Sequence, residues 1–151
     1  MIYTELTNKA LNLMFEKHKD QVDKAGIPYV FHPFHLAEQM PDETSTLVAL
    51  MHDLVEDTDV TFEDLSSMGF PEEVVEAIKL LTHDKSIDYL DYVEKISKNS
   101  LARKVKIADL KHNMDPSRLS EEQKNSPKRK AKYEMYVKSL ELLKSMENQE
   151  P

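Results

Sequence analysis

Cysteine is absent from the 151 residues, and so is tryptophan. The lack of cysteine excludes disulfides, thiolate metal sites and cysteine nucleophiles, and it fits a reducing, cytoplasmic setting. Glycine occurs only twice, at Gly26 and Gly69, so no glycine-rich loop can cradle phosphate through its backbone amides. No apolar run approaches the roughly 18 residues that a membrane span needs. The opening Met1-Ile2-Tyr3-Thr4-Glu5 has neither the basic nor the apolar region of a signal peptide. Alternating β-branched and aromatic runs, the mark of strands, are missing too.

Basic charge is missing from one long stretch. No Lys or Arg lies between Ala25 and Ile78, where twelve of the 28 acids fall. The excess of bases lies between Leu101 and Tyr133, with ten Lys/Arg against four Asp/Glu. The net charge of −8 argues against a general nucleic-acid binder. A field of one sign attracts what neutralises it, so the acidic part suits a divalent cation and the basic part an anionic ligand. Mutual attraction of the two parts across the fold is the plainer explanation of the same asymmetry.

What remains is helical patterning. Thr4 to about Lys24 reads as a first helix, with Leu6, Ala10, Leu13, Met14 and His18 along one side and Gly26 and Pro28 beyond its end. Pro33 fits the first turn of a short second helix ending near Met40. A third runs from about Glu43 to Glu56. Thr61, with Asp64 three residues on, caps a short helix that Gly69 ends. Further helices run from Pro71 to about Leu81, from a Ser86 cap to about Lys98, and from Leu101 to Asn113, where Asp115-Pro116 stops the chain. Residues 115 to 125 read as a polar loop. Ser126 and Pro127 then open a last helix with the core stripe Tyr133, Tyr136, Val137, Leu140, Leu143 and Met146, and its final residues are expected to fray. The prediction is an all-α, compact bundle of about eight helices in a single domain over 1–151.

The third helix carries the chemistry. At about 100° per residue, His52 at zero places Glu56 near 40°, Asp53 near 100° and Asp57 near 140°, with the apolar residues opposite. A solvated face normally mixes in Lys or Arg as i,i+4 partners, and here there are none. Crowded carboxylates beside histidine favour a metal site, and mixed His/Asp ligation suits Mn, Fe, Co, Ni or Zn better than Mg or Ca. Further ligand candidates are His32 beside Pro33, His35, and the set Asp109, His112 and Asn113, which share a helix face. By default His18, His35 and His83 are read as surface or satisfied core residues.

These residues resemble the HD-domain metal-dependent phosphohydrolases, with His52-Asp53 as the name-giving doublet. More closely, His18-Lys19-Asp20-Gln21-Val22-Asp23-Lys24-Ala25-Gly26-Ile27-Pro28-Tyr29-Val30-Phe31-His32-Pro33 is similar to the entry motif of the Rel/Spo-type guanosine tetraphosphate hydrolases. Leu50-Met51-His52-Asp53-Leu54-Val55-Glu56-Asp57-Thr58 and Lys106-Ile107-Ala108-Asp109-Leu110-Lys111-His112-Asn113-Met114 are similar to their second and third motifs. The resemblance covers about residues 10 to 120. It implies His32, His52, Asp53 and Asp109 as ligands of one Mn²⁺, and Glu56 and Asp57 as the pair that positions and activates water. It also implies Lys24, Tyr29 and Asn113 as substrate-contacting positions and a structural role for His18.

The implied reaction is hydrolysis of the 3′-pyrophosphate of a phosphorylated guanosine nucleotide, as in the stringent response. No nucleic-acid or membrane partner is expected. Lys106, Lys111, Arg118, Lys128 and Arg129 are candidates for counter-charge to the substrate. Two positions that are commonly basic in the family are Asp23 and Asp115 here. They leave another nucleotide or dinucleotide phosphate, or a non-catalytic nucleotide sensor, as alternatives.

Overall fold

The computed structural model describes residues 1–149, and those residues contain helices and no strand. Ten α-helical segments follow one another: α1 Glu5–His18, α2 Phe31–Glu38, α3 Glu43–Met51, α4 Leu54–Asp57, α5 Phe62–Ser67, α6 Glu72–Leu81, α7 Tyr89–Ser97, α8 Ser100–Met114, α9 Glu121–Lys124 and α10 Pro127–Glu147. Two of them, α4 and α9, are single turns, so the expected bundle of about eight helices is what forms. Of the final residues expected to fray, 150 and 151 lie outside the described residues.

The centre of the bundle is α3, buried at every residue from Ser45 to Met51. Around it pack α1, α2, α6 and α8, and α10 lies against α7 and α8. Leu36, Leu47, Leu50, Leu54, Ile78 and Leu110 are all but sealed from solvent and form the middle of the core. Caps read from sequence hold at Thr61, where the side chain accepts from the Asp64 amide, and at Ser126, which accepts from the Arg129 amide. The last-helix stripe is confirmed at Leu143, which is fully buried, but Tyr133 is exposed and Ser139 takes a buried place instead.

Four boundaries differ from the sequence reading, each for a local reason. The first helix stops at His18 rather than near Lys24. Asp23 claims the following segment: its Oδ1 accepts from the amides of Ala25 (2.9 Å) and Ile27 (3.0 Å), closing a turn with Gly26 at φ +81°. The third helix breaks after Met51, and a turn at His52-Asp53 leads into α4. In a continuous helix the Ala49 carbonyl would take the Asp53 amide; it accepts from His52 Nδ1 at 2.7 Å instead. The cap of α7 is Asp88, not Ser86, because Ser86 is held in a preceding turn by Asp84. The polar loop 115–125 contains a 3₁₀ turn at Pro116–Arg118 and the Ser120-capped α9.

Gly69 follows α5 at φ +90°, a left-handed conformation, and a Cβ added there would touch nothing within 4 Å. The cost of Gly69→Ala is therefore a backbone cost alone, about 1–2 kcal/mol. Urea unfolding is expected to show that loss, with a smaller one for Gly69→Asn, because asparagine tolerates the left-handed region better.

Candidate active site

Three distant segments meet at the C-terminal end of α3. His32 and Pro33 sit in the first turn of α2, His52-Asp53 form the turn between α3 and α4, and Asp109 lies on α8. His32 Nε2 is 2.9 Å from Asp109 Oδ1. His52 Nε2 is 3.1 Å from Asp53 Oδ2 and 3.7 Å from Asp109 Oδ1. His32, His52 and Asp109 are buried, and Asp53, Glu56 and Asp57 form an adjoining acidic group. The helix break turns the predicted wheel into two clusters joined by Asp53.

The proton positions follow from the partners. A carbonyl oxygen only accepts, so the contact with Ala49 fixes a proton on His52 Nδ1. When the ring is neutral, its lone pair lies at Nε2. That atom is buried and has no hydrogen-bond partner, yet it faces two carboxylates. Lone pairs facing carboxylate oxygens repel unless a proton or a cation lies between them. Metal-ligating histidines have this arrangement, with the second ring nitrogen donating to a fixed acceptor. His32, His52 and Asp109 can therefore hold a divalent metal ion, with Asp53 beside them.

The surrounding groups fix these side chains. Burial pushes the Asp109 carboxyl up, but the Lys106 ammonium and the His32 and His52 rings outweigh it and hold the group well below the ordinary carboxylate range. Lys106 Nζ donates to Asp109 Oδ2 at 2.9 Å, and Asn113 Nδ2 donates to Oδ1 at 3.2 Å. Asp53 shows the opposite balance. Burial, then the charges of Asp109, Asp57 and Glu56, raise it well above the ordinary range. The Tyr29 hydroxyl donates to its Oδ2. His32 Nδ1 meets His112 Nδ1 at 2.6 Å with the ring planes 8° apart. Burial, with the neighbouring His32 and Arg118, brings His112 down to about 4, so this ring is neutral at pH 7.

Glu56 is held from outside the motifs. Its Oε1 accepts from the backbone amide of His83 at 2.8 Å, and the His83 ring leans on Tyr92. Asp57 is raised, first by burial and then by Glu56. All these residues line or adjoin a cavity of about 700 Å³. Lys24, Tyr29 and Asn113 line it as well, so the three positions expected to contact substrate come together with the metal-ligand candidates.

The counter-charge candidates divide. Lys106 is buried beneath Asp109 and over the Tyr89 and Tyr92 rings. Lys111 is exposed and off the cavity. Arg129 reaches the last carbonyls of α8, those of Asn113 (2.9 Å) and Met114 (3.1 Å), although it also borders the cavity. Arg118 pairs with Asp23 at 2.8 Å. Lys128 alone is exposed, lines the cavity and has no such partner among the described residues.

His18 is fully buried, with Nδ1 2.8 Å from Gln21 Oε1, and His35 is exposed against the His112 ring. Sequence reasoning missed Tyr89 and Tyr136, which line the cavity wall together with Lys132.

No family model matches the chain. A guanosine-3′,5′-bis(diphosphate) 3′-pyrophosphohydrolase of Aquifex aeolicus is 35% identical over 91 residues, covering 58% of this chain and 13% of that protein. The guanosine-3′,5′-bis(diphosphate) 3′-pyrophosphohydrolase MESH1 of Danio rerio is 37% identical over 92 residues, covering 56% of this chain and 51% of its own length. A solved structure described as a metazoan ortholog of SpoT that hydrolyzes ppGpp superposes with a TM-score of 0.76 at 26% identity, over 95% of this chain and 88% of that one. The fold is that of this solved SpoT ortholog. The chain spans about half or less of the length of these curated relatives.

Against that background, the acids at the two commonly basic positions are turn builders. Asp115 Oδ1 accepts from the Ser117 amide at 2.9 Å, and Asp23 both closes its own turn and anchors Arg118. Burial raises the Asp23 carboxyl, but Arg118 and the amides of Ile27 and Ala25 outweigh it and leave the group below its ordinary value. A depressed folded-state value gives stability that is complete above the unfolded value near ~4 and is lost as pH falls through the folded one. Asp23→Asn is expected to cost about 1–2 kcal/mol at pH 7. In chemical denaturation that difference is expected to close below pH ~4; a gap independent of pH contradicts the ion-pair account.

Proposed function

We propose that this chain is a metal-dependent phosphohydrolase that removes the 3′-pyrophosphate of guanosine 3′,5′-bis(diphosphate), acting in the cytoplasm as a single domain. The observation that carries the reading is the partnerless Nε2 of His52, buried and facing Asp53 and Asp109. The activity named for the relatives from Aquifex aeolicus and Danio rerio supports the choice of substrate. His32, His52, Asp53 and Asp109 would hold one ion, and a mixed imidazole–carboxylate set suits Mn²⁺. When bound, such an ion supplies Lewis-acid charge at a phosphoryl oxygen and acidity to water.

The chain's own residues supply the rest. Glu56, its carboxylate steadied by the His83 amide, takes the proton of the attacking water. Asp57, one residue on, helps to hold that water. The water oxygen bonds to phosphorus, the bond to the 3′ oxygen breaks, the proton taken by Glu56 is passed through solvent to that oxygen, and GDP and pyrophosphate leave. Tyr29 and Asn113 lock the rotamers of Asp53 and Asp109 while bordering the cavity, and Lys24 faces the anionic ligand. A different phosphorylated nucleotide is the second reading, favoured by the Asp23–Arg118 pair where relatives commonly carry a base.

Metal-stripped protein is expected to turn over guanosine 3′,5′-bis(diphosphate) only after Mn²⁺ is restored, with GDP and pyrophosphate resolved by ion-exchange chromatography. Turnover of another nucleotide alone in the same panel replaces the substrate and keeps the mechanism. Glu56→Gln is expected to lower kcat about 10²–10⁴-fold while metal stoichiometry by elemental analysis stays unchanged. An unaltered kcat removes Glu56 from the proton transfer. Asp109→Ala is expected to lose both metal and turnover.

A further inference from the structure

The two acids of α4 are held from opposite sides. Glu56 is fixed by the His83 amide, which belongs to the α6–α7 connection. Asp57 is fixed through its backbone. Its amide donates to the Asp53 carbonyl at 3.0 Å, and its own carbonyl accepts from Gln21 Nε2 at 3.3 Å. Gln21 lies in the α1–α2 connection, 36 residues earlier in the chain. A single helical turn such as α4 is not stable by itself, so its shape depends on partners of this kind.

The Gln21 amide can face only one way. A carbonyl oxygen only accepts, so the amide nitrogen faces Asp57 and the amide oxygen faces His18. Gln21 Oε1 stands 2.8 Å from His18 Nδ1, and it too only accepts. His18 therefore carries a proton on Nδ1 and donates it. The two bonds form one chain, from the His18 ring through the Gln21 amide to the Asp57 carbonyl, and each polarises the other.

Packing alone does not call for histidine at position 18. The residue is sealed in the last turn of α1, and its Nε2 is buried with no hydrogen-bond partner among the described residues. An apolar side chain of similar size would not carry the cost of that stranded nitrogen. What the ring supplies is the Nδ1–H. It also leans on Tyr29, 4.9 Å between ring centroids, and the Tyr29 hydroxyl donates to Asp53. Neither His18 nor Gln21 lines the cavity. We propose that His18 and Gln21 are positioning residues for Asp57: the His18 Nδ1–H orients the Gln21 amide, and that amide fixes the end of the α4 turn and so the direction in which Asp57 faces the attacking water. The part of Asp57 in holding that water is the one proposed above, and this positioning rests on it.

The first measurements need no turnover. In ¹⁵N-labelled protein, long-range correlation through the His18 ring is expected to place a proton on Nδ1. The Asp57 and Thr58 amides close α4 on the carbonyls of Asp53 and Leu54. Their hydrogen exchange is expected to quicken about tenfold in Gln21→Met and in His18→Leu, with the amides of α3 and α8 unchanged. A ring protonated at Nε2 alone, unaltered exchange at α4, or exchange quickened equally throughout the bundle overturns the proposal.

With Mn²⁺ present, Gln21→Met is expected to lower kcat on guanosine 3′,5′-bis(diphosphate) about 10–10²-fold, with KM and metal stoichiometry little changed. His18→Leu is expected to lower kcat by a similar factor, and the double variant no further, because both changes act through one amide. His18→Asn, which places an amide N–H where the Nδ1–H stood, is expected to recover most of the loss. An unaltered kcat, additive losses, or equal losses in His18→Asn and His18→Leu overturn the proposal. If the unaltered protein turns over no nucleotide, the hydrolase reading falls, and exchange at α4 still decides whether His18 and Gln21 hold Asp57.

Discussion

A single buried negative charge organises this molecule. Asp109 lies inside the bundle, its Oδ2 facing Lys106 at 2.9 Å and its Oδ1 facing His32 at 2.9 Å and Asn113 at 3.2 Å. Removing two ions from water costs several kcal/mol each, so such a pair is a poor source of stability. What it achieves is placement. Lys106 is clamped over the rings of Tyr89 and Tyr92, and the Tyr92 hydroxyl donates to the Leu81 carbonyl. The carboxylate is thereby referred to α6, α7 and α8 together. Remove the lysine, and the charge that faces His32 and His52 loses both its orientation and its compensation.

The remaining polar features follow from that charge. Asp109 raises Asp53, and the crowding of four carboxylates at this end of α3 is relieved by a proton or by a cation among them. Lysines of α10 and the α1–α2 connection line the same cavity. The cavity therefore carries two fields of opposite sign. A bound cation satisfies one and an anion the other, and a metal–phosphate ligand satisfies both.

Much of this was legible in the sequence, because helices announce themselves locally. The caps at Thr61 and Ser126 and the stop at Asp115-Pro116 correspond to short-range patterns, whereas the grouping of His32, His52 and Asp109 was implied by the family resemblance. What escaped depends on side chains acting on the backbone. Nothing in the periodicity says that His52 will take the Ala49 carbonyl and break the third helix, or that Asp23 will end the first by gathering two amides. Partners contributed by distant segments were equally hidden. The His83 amide that holds Glu56 is 27 residues away in sequence. Arg129, a candidate for substrate charge, is engaged by the carbonyls at the end of α8, which only tertiary packing brings to it. Lys106 was read as an open cation because its burial between two tyrosines is not a property of its own helix.

Backbone geometry adds a last consequence. Among the described residues no non-glycine residue has positive φ and no peptide bond is cis; both glycines sit in connections away from the metal-ligand candidates. The tension at the site is therefore stored in charges and lone pairs rather than in distorted chain. A bound ion relieves charges of this kind with no backbone strain to release, so substitutions that re-tune the occupant call for no rebuilding of the loops that present it.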